Sequence, residues 1–111
     1  MKWFAKEFSC TVLLKGEIDL IASEDKFEEI KGGNPGMTKG GTGDVLAGLA
    51  AALYCVNDPF TSAVAASYIN KKAGEELFEK MGYWFNASDL AEQIPITMRK
   101  LLPQHQKIPL S

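Results

Sequence analysis

Up to a glycine-rich stretch beginning at Gly32, the chain alternates short apolar runs with polar punctuation; beyond it, apolar positions recur at helical spacing. Met1 to Phe8 reads as a short helical lead-in. Thr11-Val12-Leu13-Leu14 is β-branched and aliphatic and too short for a helix, so it predicts a buried strand. Lys15-Gly16 turns, Ile18 to Ala22 alternates as a second strand, Ser23 to Lys26 makes a polar hairpin turn, and Phe27 to Ile30 forms a third, half-exposed strand. From Thr42 to about Cys55 a helix is predicted, with Val45, Leu49 and Leu53 on one stripe and Leu46 beside it. Asn57-Asp58-Pro59 stops it and starts the next, with Asp58 as N-cap and Pro59 at the first helical position. That second helix, Phe60 to Met81, offers Ala63, Val64, Ala66, Ala73 and Leu77 to a core. Its Lys71, Lys72, Glu75, Glu76, Glu79 and Lys80 read as a solvated face. Gly82 is a natural C-cap. Asn86 or Ser88 then caps a short helix to Gln93, and Pro95 opens a last one to Leu102. Pro103 to Ser111 reads as a loose tail holding the only histidine, His105, which argues against histidine catalysis.

Composition narrows the class. At 111 residues the chain is one small domain at most. A net charge of -2 speaks against a nucleic-acid or anionic-membrane surface. The longest apolar run, Val45 to Tyr54, is about half of the roughly twenty residues that span a bilayer. Lys6 and Glu7 interrupt the apolar start, so no signal peptide is read there. Cys10 and Cys55 lack metal-ligand spacing and are expected reduced in a cytosolic interior. The expected setting is cytoplasmic.

The chemistry concentrates in Gly32-Gly33-Asn34-Pro35-Gly36-Met37-Thr38-Lys39-Gly40-Gly41-Thr42-Gly43-Asp44. Glycines let the backbone approach a ligand, and successive free amides form a concave nest for phosphate oxygens. The helix that follows adds its own unpaired amides and positive dipole end. Asp44 places a carboxylate in the first turn of that helix. A Thr or Asp before a helix is often only an N-cap, so Gly-Thr-Gly-Asp alone leaves a structural role equally open. Neither G-x-x-x-x-G-K-[ST] nor G-x-G-x-x-G is present, since Lys39 precedes the glycines and Leu46 breaks the second pattern.

The string from Gly33 to Gly48 closely resembles the signature of NAD(P)H-hydrate dehydratases, a branch of the ribokinase-like superfamily. The resemblance continues through Val12-Leu13-Leu14-Lys15-Gly16 with Ile18 to Ala22, through Asp58-Pro59-Phe60 with Ala63-Val64, and through Ala87-Ser88-Asp89-Leu90 to the closing Pro95–Leu102 segment. It implies the C-terminal part of a ribokinase-like α/β fold over residues 1–103, with 104–111 as tail. It also implies a domain much longer than this chain. Three short strands are not the alternating βα units of such a sheet. The exposed faces are expected to need self-association or a separate N-terminal half.

The activity so implied is nucleotide-dependent repair of hydrated NADH or NADPH: ADP or ATP phosphorylates the hydrate hydroxyl, and phosphate then leaves. Asp44 is the implied base or hydroxyl-orienting group, and the amides of Gly41, Thr42 and Gly43 the implied anion hole. Asn34, Gly36 and Asp44 would meet the substrate. Nucleotide contacts fall on Lys15, Gly16, Glu17, Ile18, Asp19 and Gly43. Mg²⁺ is implied, with no ligand identified. Glu17 and Asp19 depart from the family's usual residues, and a carboxylate beside a phosphate repels it by roughly 1 kcal/mol per close pair even in water. Either acid could instead bond ribose hydroxyls. Lys39 reads as a solvated loop charge, and Lys15-Gly16 by itself as a hairpin turn. Two further readings stay open: another small-molecule kinase of the superfamily, and a non-catalytic nucleotide-binding or scaffold fragment.

Overall fold

In the computed structural model, which describes residues 1–102, the chain before the glycine stretch closes into a three-stranded antiparallel meander. Strands β1 (Val12–Leu14), β2 (Asp19–Ala22) and β3 (Phe27–Ile30) pair in sequence order, with Ile21 opposite both Leu13 and Glu28. The polar hairpin forms as its residues suggest: the Ser23 amide donates to the Lys26 carbonyl at 2.9 Å, and the Lys26 amide donates to the Ser23 hydroxyl at 3.2 Å. β1 is less buried than expected. It is an edge strand, half-buried at Val12 and Leu13 and exposed at Leu14.

Four helices accompany the sheet: α1 (Lys2–Glu7), α2 (Thr42–Tyr54), α3 (Pro59–Met81) and α4 (Ala87–Leu101). Asp58 caps α3, its Oδ1 accepting the Thr61 amide at 2.9 Å, and Gly82 ends that helix at φ 61°. Asn86, not Ser88, caps α4, in a reciprocal box with Asp89 at 2.9 Å each way.

The two short helices expected around Pro95 are one. A proline in a helix interior loses a hydrogen bond and costs about 3 kcal/mol. Here Leu90, Gln93, Ile94 and Thr97 share one buried face through it, while Pro95 itself sits on the exposed side. Continuous burial against α3 outweighs the local break.

α3 is the organiser, packing against α2, α4 and the sheet. Met37, Ala73, Leu77, Phe85, Leu90 and Ile94 form the core, with Val45, Leu49, Ile69 and Met98 half-buried against it. On α2 the fully buried apolar residue is Leu46, expected only beside the stripe. The molecule is a slab of 42 × 42 × 19 Å, and its thin dimension has room for about two layers of helix and sheet.

The solvated face read on α3 is corrected at several positions. Lys71 is buried. Glu76 accepts hydrogen bonds from the Thr97 hydroxyl, from Lys100 at 2.6 Å and from Gln93 at 3.3 Å, pinning α4 to α3. These donors, Lys100 first and Thr97 next, hold its carboxyl below the 4.5 of an unperturbed glutamate. Lys80 donates to Gln93 at 3.0 Å. Lys72 and Glu79 do stay exposed. Cys55 also departs from expectation: it is exposed at the end of α2, and Cys10 is half-buried. The tail from Pro103, with His105, lies outside the described residues.

Candidate active site

The glycine stretch is a folded loop held from below by α3. Asn34 opens a 3₁₀ turn, Pro35–Thr38, by accepting the Gly36 amide on Oδ1 at 2.9 Å. Its Nδ2 donates to the Gly74 carbonyl at 2.9 Å, and the Gly33 amide donates to Glu75 Oε2 at 3.1 Å. Gly36 is buried under Phe85, where a Cβ would lie 2.9 Å from the ring. It therefore shapes the loop and does not line the cavity described below. Lys39, read as a solvated charge, is pinned instead: its ammonium donates to the Tyr83 and Phe85 carbonyls and stands 4.8 Å from the Phe85 ring centre.

The loop then delivers its chain into α2. Thr42 is buried, and its hydroxyl is shared between the Met37 carbonyl at 2.6 Å and the Lys39 carbonyl at 2.7 Å. The Thr42 amide also donates to Lys39 O, at 3.2 Å, so this member of the expected anion hole is spent. Gly41 precedes the helix at φ 89°, a conformation that favours glycine. Among the described residues, the amides of Gly41, Gly43 and Asp44 have no hydrogen-bond partner, and all three residues are exposed. The amides open to an anion are thus those of Gly41, Gly43 and Asp44, with the Asp44 carboxylate in the first helical turn beside them.

Next to this rim, a cavity of about 670 Å³ lies between the β1–β2 turn, the loop and α3. Of the expected nucleotide contacts, Lys15, Gly16, Glu17, Ile18 and Asp19 line it, and so does Asn34; Gly43, Asp44 and Gly36 do not. Lys15 separates the two places. Its ammonium donates to Met37 O at 2.8 Å, and its stem lies 3.8 Å from where a Cβ on Gly43 would be.

The expected repulsion at Asp19 is corrected by a residue the sequence reading put in solvent. Asp19 is 1 % exposed; it accepts the Gly16 amide at 2.9 Å on Oδ1 and the Ser67 hydroxyl at 2.6 Å on Oδ2. Lys71 stands 3.6 Å away and also donates to the carbonyls of Gly16, Glu17 and Gly32 at 3.1–3.3 Å. One buried ammonium therefore neutralises Asp19 and ties the strand turn to the glycine loop. Glu17 is exposed at the cavity wall, so its carboxylate alone keeps the open-charge role.

Residues 1–96 match the carbohydrate-kinase family described as NAD(P)H-hydrate dehydratase. The chain belongs to the NAD(P)H-hydrate dehydratase family. It is 48% identical over 91 residues to the bifunctional NAD(P)H-hydrate repair enzyme Nnr of Archaeoglobus fulgidus, covering 82% of this chain and 20% of that one. It is 45% identical over 96 residues to the ADP-dependent (S)-NAD(P)H-hydrate dehydratase of Cenarchaeum symbiosum, covering 86% of this chain and 33% of that one. The fold matches an ADP/ATP-dependent NAD(P)H-hydrate dehydratase from Bacillus subtilis, co-crystallised with ATP/Mg²⁺ and soaked with CoA, at a TM-score of 0.81 and 26% identity. That match covers 91% of this chain and 38% of the other. The expected ribokinase-like α/β fold is therefore the fold observed. The chain spans about a fifth to two fifths of the length of these relatives.

Ser67, Asn70, Lys71 and Glu75 were not singled out from sequence as site residues. Their signal was available in the spacing: with Ala63, Ala66, Gly74 and Leu77, the first three follow the helical repeat of the buried face of α3, and Glu75 lies half-buried beside it. Polar residues on a core stripe need partners, and here the partners are the site loops.

Proposed function

We propose that this chain forms the nucleotide- and phosphoryl-handling part of an ADP- or ATP-dependent NAD(P)H-hydrate dehydratase. The observation that carries the reading is the trio of free amides at Gly41, Gly43 and Asp44, opening α2 beside the cavity at Lys15-Gly16. The nucleotide lies in the cavity, against Lys15, Gly16, Glu17 and Ile18, with Asp19 acting from behind through Gly16 and Lys71. Its phosphates run past Lys15 to the amides. Phosphoryl transfer is mostly positioning and charge stabilisation, and the amides supply donors where charge develops. Loss of one such donor costs about 2.7–4 kcal/mol of barrier.

Asp44 takes the proton of the hydrate hydroxyl as its oxygen attacks the terminal phosphoryl group, whose bond to the bridging oxygen breaks and releases the shortened nucleotide; phosphate then leaves the ring carbon, the adjacent carbon loses a proton, and the nicotinamide double bond is restored. Asn34 and Gly36 serve substrate binding through the loop shape they impose. Among the described residues no group of three or more His, Cys, Asp or Glu side chains could hold a metal ion. Mg²⁺ would therefore arrive on the nucleotide phosphates, the manner in which it commonly binds. The rest of the substrate pocket comes from a separate N-terminal half or from a second copy. The setting is the cytoplasm; no described helix is long and apolar enough to cross a membrane.

The test is Asp44→Asn in the assembled enzyme. ADP affinity should stay nearly unchanged while turnover falls about 10²–10⁴-fold, the range of general-base catalysis. Turnover close to wild type would assign the chemistry elsewhere. Intact ADP binding without turnover in the unsubstituted assembly would favour a scaffold fragment.

A further inference from the structure

Among the described residues, Asn70 Oδ1 is the buried side-chain polar atom with no hydrogen-bond partner. Asn70 is 1 % exposed, sits on α3, and lines the 670 Å³ cavity. An unpaired buried acceptor has given up its water without a replacement hydrogen bond. Its neighbours on the same helix are fully engaged: Ser67 bonds Asp19, and Lys71 bonds three carbonyls. Asn70 and Lys71 both line the cavity from this stripe, and of the two Asn70 carries the unpartnered atom.

We propose that the Asn70 carboxamide is a specificity-determining contact for the purine base of the nucleotide. A carboxamide carries an acceptor and a donor side by side in one plane. That pattern matches an adenine edge, where an exocyclic amine lies next to a ring nitrogen, as asparagine does when it reads adenine elsewhere. The cavity is within the roughly 300–1,000 Å³ usual for such ligands, and Ile18, Pro35 and Met37 supply apolar wall for a base. Ile18 is 40% exposed, an apolar surface that a bound base would cover. With the base at α3 and Lys15 toward the amides, the phosphates point at Gly43 and Asp44. The inference rests on the cavity being the nucleotide site. Because all its walls come from this chain, it can be read on the chain itself.

The experiment is calorimetric titration of the chain with ADP and with purine riboside 5′-diphosphate, which lacks the exocyclic amine. Inosine diphosphate is a poorer probe, since a carboxamide can rotate to meet its oxygen. The unsubstituted chain should bind ADP about tenfold to a hundredfold more tightly than the amine-free analogue. Asn70→Leu should lose that preference by weakening ADP alone. Its urea unfolding without ligand should be unchanged or displaced to higher urea, because an orphaned polar group has been removed. Equal affinity of the unsubstituted chain for the two diphosphates would overturn the inference with no variant needed. So would ADP affinity unaltered in Asn70→Leu, or a loss of unliganded stability showing that the carboxamide is partnered within the protein. If ADP does not bind the unsubstituted chain at all, the nucleotide reading of the cavity fails first, and this inference with it.

Discussion

On the side of the glycine loop that faces α3, polar groups are closed onto the protein: Gly33 onto Glu75, Asn34 onto Gly74, and Lys39 onto the carbonyls of Tyr83 and Phe85. On the side that opens α2, a few residues later in the same loop, the amides of Gly41, Gly43 and Asp44 are exposed and have no partner among the described residues. The contrast separates two tasks. Buried pairing on the back fixes the backbone, so the front can present donors at fixed positions without reorganising when charge arrives. Lys71 is the strongest instance of the back: it joins β2, the strand turn and the glycine loop through one ammonium.

The largest effect is expected there. Lys71→Met leaves Asp19 buried without its counter-charge, a loss of about 3–5 kcal/mol. Urea unfolding of the chain reads it, and adding Asp19→Asn should recover part of the loss, since the stranded charge is then gone. A single-variant loss under about 1 kcal/mol would mean that Lys71 does not hold the back.

A smaller effect is expected at the front. Gly41→Ala forces a side chain into φ 89° and sets its Cβ 2.9 Å from the Ala87 Cβ. Strain of this kind costs about 1–3 kcal/mol. The loss should appear both in urea unfolding and in weakened ADP binding, since the Gly41 amide turns away as the strain relaxes. Full ADP affinity in this variant would remove Gly41 from the anion hole.

How much of this was legible in the chain follows the same division. The start of α2 at the front could be read directly, because Gly-Thr-Gly-Asp before an apolar repeat is local chemistry and the helix does begin at Thr42. The back could not, because the partners of Lys71 lie 39 to 55 residues away and a lysine on a charged helix defaults to solvent. Pro95 misled for a related reason. A local rule ends the helix there, and the burial of Ile94 and Thr97 against α3 overrides it. The Thr42 amide, expected to be free, is claimed by a carbonyl three residues back, a detail of turn geometry that residue types do not show.

The smallest predicted effect is on acid stability. Glu76 is held below its ordinary titration range by Lys100 and Thr97, so its contribution is present above about pH 4.5 and is lost as pH falls through its lower folded value. Thr97→Val should flatten the decline of stability between neutral pH and pH 3 and leave ADP binding at neutral pH unaltered, because Glu76 ties α3 to α4 and does not line the cavity. An unchanged acid profile would show that this cluster contributes nothing to the rigid back.

The central claim is that these residues hold the reactive groups of a dehydratase whose pocket is completed by other residues. ADP-dependent dehydration of NADH hydrate tests it, measured for the chain alone and for the chain mixed with the separately produced N-terminal portion of the Cenarchaeum symbiosum relative. The account predicts no turnover alone and turnover on mixing. Turnover by the chain alone, or a folded mixture that binds ADP and does not turn over, would contradict it.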